Sequence, residues 1–133
     1  VDKVDSQRLA SIINQGITPV LAPLTFDGHE HLLNTNADTI AGETAKAMAH
    51  LYDVSLVYCF EKRGVLTNPD DDNSVIPEIH ADNFAKLVED GVVSGGMIPK
   101  IQNALQAVEA GVKRVIITAA KGLDTESGTK ILP

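Results

Sequence analysis

Apolar residues recur at helical spacing in four stretches of the chain, and each stretch predicts an amphipathic helix. The four helices are expected around residues 9–13, 37–51, 84–88 and 97–108. Asp5 or Ser6 is the expected N-cap of the first helix, and Asn36 is the expected N-cap of the second. Glycines such as Gly16 and Gly91 should end helices, because glycine readily adopts the left-handed conformation found there.

Short runs of β-branched and apolar residues between these helices predict strands. Buried strands are expected over residues 18–24, 55–59 and 114–118, further strands over 74–79 and 128–132, and a small hairpin over 26–33. Asp27-Gly28 is the turn signal of the hairpin, and Pro77 places the 74–79 strand at a sheet edge. Because strands alternate with helices, we expect an α/β fold with helices on both faces of a largely parallel sheet.

Composition narrows the possible functions. The chain has 133 residues, of which 44% are apolar and 22% charged, and this suits a globular domain with its own core. The formal net charge is −7, so we expect neither nucleic acid nor an anionic membrane as a partner. Cys59 is the single cysteine and lies in an apolar run, which predicts a structural thiol and excludes an internal disulfide. The sequence contains neither an apolar run near the ~20 residues of a membrane span nor a signal-peptide pattern, so we expect a cytoplasmic protein.

The block Asn34-Thr35-Asn36-Ala37-Asp38 places three short polar side chains at a predicted strand-to-helix junction. Free backbone N–H groups at a helix N-terminus attract anions, so this junction could orient a carboxylate substrate or phosphate-binding lysines. The same residues also suit an Asx-rich turn with an N-cap, and their spacing leaves both interpretations open. A calcium-binding loop is excluded, because Thr39 stands where such a loop needs glycine and Ala45 where it needs glutamate.

The block Ser94-Gly95-Gly96-Met97-Ile98-Pro99-Lys100 carries a second candidate site. Two glycines let a ligand approach the backbone closely, and Pro99 suits the first turn of a helix. Lys100 then lies at the positive end of the helix dipole, which becomes favourable once a polyphosphate is bound. The alternative is that Lys100 is an ordinary surface lysine that occurs at this position by chance. The chain contains neither GxxxxGK[ST] nor GxGxxG, so these nucleotide motifs add no support.

Two further clusters have simple structural interpretations. His29 and His31 would lie on one face of a strand, as a metal site requires, but no third ligand is indicated nearby. We expect a solvated hairpin tip there, and a solvated loop at Asp70-Asp71-Asp72. The sequence therefore predicts no metal site built from protein side chains.

The two candidate blocks resemble a known family. Residues 34–38 resemble the NxNADxxA block of the N-acetylglutamate kinases, which belong to the amino acid kinase family, and residues 95–100 are similar to their GGMIPK block. Segments 16–23, 64–66 and 128–131 match further landmarks in the family's order. The resemblance implies a three-layer α/β/α sandwich around a mainly parallel sheet. It also implies transfer of the γ-phosphoryl group of ATP to the side-chain carboxylate of N-acetylglutamate, in arginine biosynthesis.

The resemblance assigns roles to residues of this chain. Asn34 and Asn36 would bind the substrate, Asp38 would organise the catalytic lysines, and Lys100 would stabilise charge on the transferred phosphoryl group. Nucleotide contacts are expected at Glu61, Lys62, Arg63, Gly64, Val65 and Leu66, and at Val92, Val93, Ser94, Gly95, Gly96 and Met97. Mg²⁺ would be held mainly through the ATP phosphates. The chain departs from the family at Phe60-Glu61, where members usually carry a small polar residue and Asp.

The resemblance also implies that the family's N-terminal half is missing. Residues 1–50 would end a substrate-binding domain and residues 51–133 would form an ATP-binding domain. The start at Val1, without Met, is expected to mark a truncation, and the full-length protein is expected to be a homo-oligomer. The alternatives are another amino acid kinase, such as a glutamate 5-kinase, a carbamate kinase or an N-succinylglutamate kinase, and a nucleotide-binding module without turnover.

Overall fold

The computed structural model describes residues 1–125 and 127–133, in which helices and strands alternate. The helices are α1 (Ser6–Asn14), α2 (Ala37–Met48), α3 (Ala81–Glu89) and α4 (Met97–Glu109). The strands are β1 (Leu24–Phe26), β2 (Leu32–Asn34), β3 (Ser55–Phe60), β4 (Glu78–Ile79), β5 (Arg114–Ala119) and β6 (Thr129–Ile131), and a 3₁₀ helix covers Ala120–Thr125. All four predicted helices are therefore confirmed.

Helix caps are local features, and both predicted caps are present. The carboxylate of Asp5 accepts a hydrogen bond from the backbone N–H of Arg8, and the amide oxygen of Asn36 accepts one from the N–H of Thr39. Gly91 follows α3 with a φ of 71°, in the left-handed region where glycine is favoured.

Four strands form the main sheet, in the order β3-β5-β6-β4. β3 runs parallel to β5 and β4 runs parallel to β6, while β5 and β6 are antiparallel. The predicted α/β class with a mainly parallel sheet is therefore confirmed. β1 and β2 form a separate antiparallel hairpin in which Leu24 pairs with Asn34.

The main core lies between one face of this sheet and the helices α2 and α4. Ile101 and Ala104 of α4 pack there against sheet residues such as Ile117 and Ile131, and all four are fully buried. A smaller cluster attaches α1 to the end of α2 through Leu9. In the part of the chain that the structure describes, each helix is too short or too polar to cross a bilayer.

The opposite face of β3 is exposed, because successive side chains of a strand point to opposite faces. Tyr58 of β3 is buried beneath the helices, whereas Val57 and Cys59 are exposed on the other side. The burial predicted for the whole strand is therefore wrong for one face. Cys59 is a free, exposed thiol and not part of the core.

Strand predictions fail where pairing, and not local sequence, decides the structure. The buried strand predicted over residues 18–24 is wrong, because the ladder begins only at Leu24, and Val20 is 93% exposed. A strand exists through hydrogen bonds to a neighbour, so β-forming residues alone do not produce one. The 74–79 strand is reduced to Glu78–Ile79, at the sheet edge as expected, with an isolated bridge between Leu66 and Val75.

Candidate functional site

Lys100 and Asp38 form the centre of the candidate site. Asp38 lies in the first turn of α2 and Lys100 is the fourth residue of α4, so the packing of these helices brings them together. The Lys100 Nζ atom is 3.5 Å from Oδ2 of Asp38, and each side chain is about one-third exposed. The structure therefore joins the two residues that the resemblance made catalytic, which are 62 positions apart in sequence.

The helix dipoles act on these two charges in opposite ways. Asp38 is stabilised at the N-terminus of α2, whereas Lys100 lies at the unfavourable N-terminal end of α4. Asp38 offsets part of that cost, and the Lys100 ammonium also lies 3.8 Å above the ring centre of Phe60. The Lys100 ammonium is thus held in the first turn of α4 and remains partly open to solvent.

The two predicted substrate-binding asparagines lie on either side of the junction between β2 and α2. Asn34 ends β2 with an exposed side chain, and Asn36 caps α2. The hydroxyls of Thr25 and Thr35 are 2.8 Å apart and connect the hairpin to this junction. The N-cap geometry of Asn36 matches the Asx-turn interpretation, and contacts of either asparagine with a substrate stay a prediction.

A cleft of about 660 Å³ opens at the carboxyl ends of β3 and β5. Ligands of open α/β sheets bind at this edge. The cleft is lined by Phe60, Glu61, Arg63, Asp72, Thr118, Ala119, Ala120, Lys121, Gly122 and Ser127. Residues from both neighbouring parallel strands therefore contribute to one binding surface.

A second cleft of about 520 Å³ adjoins the first and extends to Lys100. It is lined by Cys59, Phe60, Glu61, Lys62, Gly64, Met97 and Lys100. Phe60 and Glu61 line both clefts, so the two spaces meet at the end of β3. An elongated ligand in the first cleft could extend one end to the Lys100 ammonium.

Together the two joined clefts are lined by four cationic side chains and by two carboxylates, those of Glu61 and Asp72, although the chain carries a net charge of −7. Arg63 and Lys121 line the first cleft, and Lys62 and Lys100 line the second. A third cleft of about 360 Å³, beside α2, is lined by uncharged residues, among them Thr44 and Ser55. Of these three clefts, the pair that ends at Lys100 is the one suited to an anionic ligand.

The residues predicted to contact a nucleotide fall into two groups. Glu61, Lys62, Arg63, Gly64 and Met97 line the clefts, whereas Val65, Leu66 and Val93 are buried. Ser94, Gly95 and Gly96 are exposed just before α4, and Val92 is half-buried, outside the lining of the two clefts. The side chains of the buried group hold the surrounding loops in the core, so any ligand contact would come from neighbouring residues.

Gly64 and Gly128 lie where loops and strands approach each other closely beneath the clefts. A Cβ atom on Gly64 would lie 2.8 Å from Oγ1 of Thr129, and one on Gly128 would lie 3.2 Å from the carbonyl oxygen of Arg63. Gly128 also has a φ of 126°, which disfavours any side chain. These two glycines therefore have a packing role.

Several cleft residues were missed from the sequence. Thr118, Lys121, Gly122 and Ser127 match no sequence motif. Their position at and after the carboxyl end of β5 was an available signal, since ligands of parallel sheets bind at that edge. Phe60 is a departure from the family pattern, and no sequence motif predicts its contact with Lys100.

The two histidines of the hairpin belong to its turn. The carboxylate of Asp27 accepts a hydrogen bond from the N–H of His29, and its Oδ2 atom is 2.7 Å from Nδ1 of His31. These two contacts, the His29 bond first, lower the pKa of Asp27. Among the described residues, the structure brings together no group of three His, Cys, Asp or Glu side chains suited to a metal ion.

A mainly parallel α/β sheet with a cleft at the carboxyl ends of its strands is typical of nucleotide-binding enzymes. Residues 1–119 match the model of the amino acid kinase family, and the chain belongs to this family. It is 57% identical over 131 residues to an acetylglutamate kinase of Bacteroides thetaiotaomicron and 54% identical to one of Bacteroides fragilis. These matches cover 98% of the chain but 51% and 50% of the two relatives. The chain thus spans about half the length of the curated relatives it matches.

Solved structures share the fold. The structure of smu.665 from Streptococcus mutans superposes with a TM-score of 0.76 at 29% identity, covering 97% of this chain and 48% of that chain. An N-acetylglutamate synthase from Neisseria gonorrhoeae, complexed with coenzyme A and L-arginine, superposes with a TM-score of 0.82 at 23% identity. That match covers 98% of this chain and 31% of the synthase, and it supports the fold alone.

Proposed function

We propose that this chain is the nucleotide-binding portion of an ATP-dependent kinase that phosphorylates the side-chain carboxylate of an N-acylated glutamate. The observation that carries the proposal is the Lys100–Asp38 pair, with 3.5 Å between its charged atoms, at the end of a cleft that Lys62 also lines. Family membership supports a phosphotransferase, and the relatives named acetylglutamate kinases support the acceptor. Residues 1–50 would complete a substrate-binding domain and residues 51–133 would hold the nucleotide.

The proposed reaction suits these residues, because phosphoryl transfer depends mainly on positioning and on neutralising negative charge. Lys100 would bind the oxygens of the transferred group, and Asp38 would hold the ammonium in place. Asp38 need not act as a base, because a carboxylate acceptor carries no proton to remove. The adenosine would occupy the 660 Å³ cleft, and its phosphates would extend past Glu61 into the 520 Å³ cleft.

Mg²⁺ would enter with the nucleotide. Magnesium commonly binds to substrate phosphates and only one or two protein carboxylates, so it does not require a preformed cluster of acidic ligands. Glu61, which lines both clefts, is the carboxylate placed to approach it. When bound, the ion would neutralise phosphate charge. Arginine biosynthesis, a cytoplasmic location and a homo-oligomeric full-length protein are further parts of this proposal.

The test is a kinase assay on the full-length protein that contains this chain. With ATP and Mg²⁺, we expect turnover of N-acetylglutamate or N-succinylglutamate and much slower turnover of free glutamate and carbamate. Lys100→Met should lower kcat by at least about 100-fold, because it removes a charge that acts on the transition state. Normal turnover by this variant would disprove the role of Lys100, and preference for glutamate or carbamate would assign the protein to another branch of the family.

The alternative to an enzyme is a nucleotide-binding module without turnover. The full-length protein would then bind ATP in calorimetry but convert none of the four acceptors. Absence of both ATP binding and turnover would contradict the kinase and the nucleotide-binding module alike.

A further inference from the structure

Phe60 is the last residue of β3 and lies between the two clefts. The Lys100 ammonium is 3.8 Å from the centre of its ring. Tyr58, two residues earlier on the same face of β3, stacks against Phe60 with 6.0 Å between ring centres and 18° between ring planes. The ring is therefore held by its own strand neighbour in a fixed orientation under the lysine.

Lys100 consequently contacts two different partners. The carboxylate of Asp38 is 3.5 Å from its ammonium on one side, and the face of the Phe60 ring is on another. A lysine side chain has several rotatable bonds, so a single exposed ion pair does not confine it well. The ring face carries partial negative charge and attracts a cation without forming a hydrogen bond, which leaves the ammonium protons available.

We propose that Phe60 is a positioning residue for Lys100, a role that rests on the proposed function for its effect on catalysis. The ring holds the ammonium at the point where the two clefts meet, and Asp38 supplies the opposing contact. The oxygens of a bound phosphate can then replace the water that contacts the Lys100 ammonium. Neither Asp38 nor Phe60 has to move. An aromatic ring at the end of strand β3 thus supports the ammonium of a lysine that belongs to helix α4.

The test is a graded replacement of Phe60 in the full-length protein. Phe60→Leu keeps an apolar side chain without a ring, Phe60→Tyr keeps the ring, and fluorinated phenylalanines keep the shape while weakening the negative ring face. We expect kcat to fall about 3- to 10-fold in Phe60→Leu with KM for ATP within about twofold, following the usual strength of cation–π contacts. Phe60→Tyr should retain kcat, and kcat should decrease stepwise with the number of fluorine atoms. A flat kcat across the fluorinated series overturns the proposal.

A second measurement does not need activity. The rate of acetylation of Lys100 by a limiting amine reagent, followed by mass spectrometry, should rise about threefold or more in Phe60→Leu and increase with fluorination. Lys113, whose side chain is 64% exposed beside Asp53, is the internal reference and should not change. Unchanged labelling of Lys100 overturns the proposal. If the wild-type protein phosphorylates no acceptor, the proposed function fails, and the labelling series alone decides whether Phe60 holds Lys100.

Discussion

The carboxylate of Asp38 and the ammonium of Lys100 face each other at 3.5 Å from the first turns of two packed helices. About one-third of each side chain is exposed, so water screens the attraction. Such a pair contributes only about 0–1 kcal/mol to the free energy of unfolding. Its importance therefore lies in the position of the lysine and not in the stability of the fold.

Asp38→Asn distinguishes an effect on the position of Lys100 from an effect on the stability of the fold. In the full-length protein we expect kcat to fall about 10- to 100-fold, because the lysine loses the charge that aligns it. The free energy of unfolding, measured by urea denaturation, should change by less than about 1 kcal/mol. Glu43→Gln is the matched control, since it breaks the ion pair with Lys46 on the same helix. If Glu43→Gln lowers kcat as much as Asp38→Asn does, the effect is general to α2 and the assignment of Asp38 is wrong.

Gly96→Ala tests whether a ligand approaches the backbone at the start of α4. Gly96 has a helical φ of −66°, and a Cβ atom there would have no neighbour within 4 Å among the described residues. The melting temperature should therefore change little, because the added methyl group meets open space and alanine adopts this φ without strain. If phosphates pack against this turn, KM for ATP should rise about tenfold in steady-state kinetics. An unchanged KM would place the phosphates elsewhere.

Gly128→Ala is the contrasting variant. It places a Cβ atom 3.2 Å from the carbonyl oxygen of Arg63 at a φ of 126°, so it should destabilise the fold by about 2 kcal/mol or more. A melting temperature equal to that of Gly96→Ala would mean that the loops beneath the cleft can move apart.

Thr129 connects three segments through one buried hydroxyl. Its oxygen accepts a hydrogen bond of 2.8 Å from the N–H of Val65 and donates one of 2.7 Å to the carbonyl of Ile76. Thr129→Val has nearly the same shape but leaves both groups unpaired, so we expect a loss of about 2–4 kcal/mol in urea denaturation. Thr129→Ser keeps both bonds and should cost about 1 kcal/mol for the lost methyl group. Equal losses in the two variants would contradict this account.

Tyr58 should make stability depend on alkaline pH. Its buried hydroxyl donates a hydrogen bond to the backbone carbonyl of Asp38, and burial, with the Asp38 charge as a second cause, raises the pKa of Tyr58 above 10.0. The folded state therefore favours the neutral phenol. Stability from this group is fully present below pH 10 and is lost as pH rises through the folded-state pKa.

Tyr58→Phe removes that dependence. At pH 7 it should cost about 1 kcal/mol for the lost hydrogen bond. As pH rises above 10, its free energy of unfolding should decline less steeply than that of the wild-type protein. Guanidinium titrations at several pH values measure both effects, and parallel declines would show that the Tyr58 hydroxyl does not titrate differently in the folded state.

Local features of this fold could be read from the sequence, and pairings between distant segments could not. The caps at Asp5 and Asn36 depend on residues within one turn, and both were predicted. The strand predicted at 18–24 needs a neighbouring strand to pair with, and local sequence does not specify that neighbour. The pairing of Asp38 with Lys100 followed from family resemblance. The contact between Phe60 and Lys100 depends on how a strand end meets a helix start, and no spacing rule describes that.

The close contact among Gly64, Gly128 and Thr129 has a consequence for how this binding site can evolve. These residues form the floor beneath the clefts, and almost any enlargement there forces backbone segments apart. Under the proposed function, selection for a different nucleotide or acceptor would therefore be confined to the rim, where Glu61, Arg63 and Lys121 can be exchanged without repacking the interior. Randomised libraries restricted to the rim should yield many folded variants, whereas libraries built on the floor should yield few.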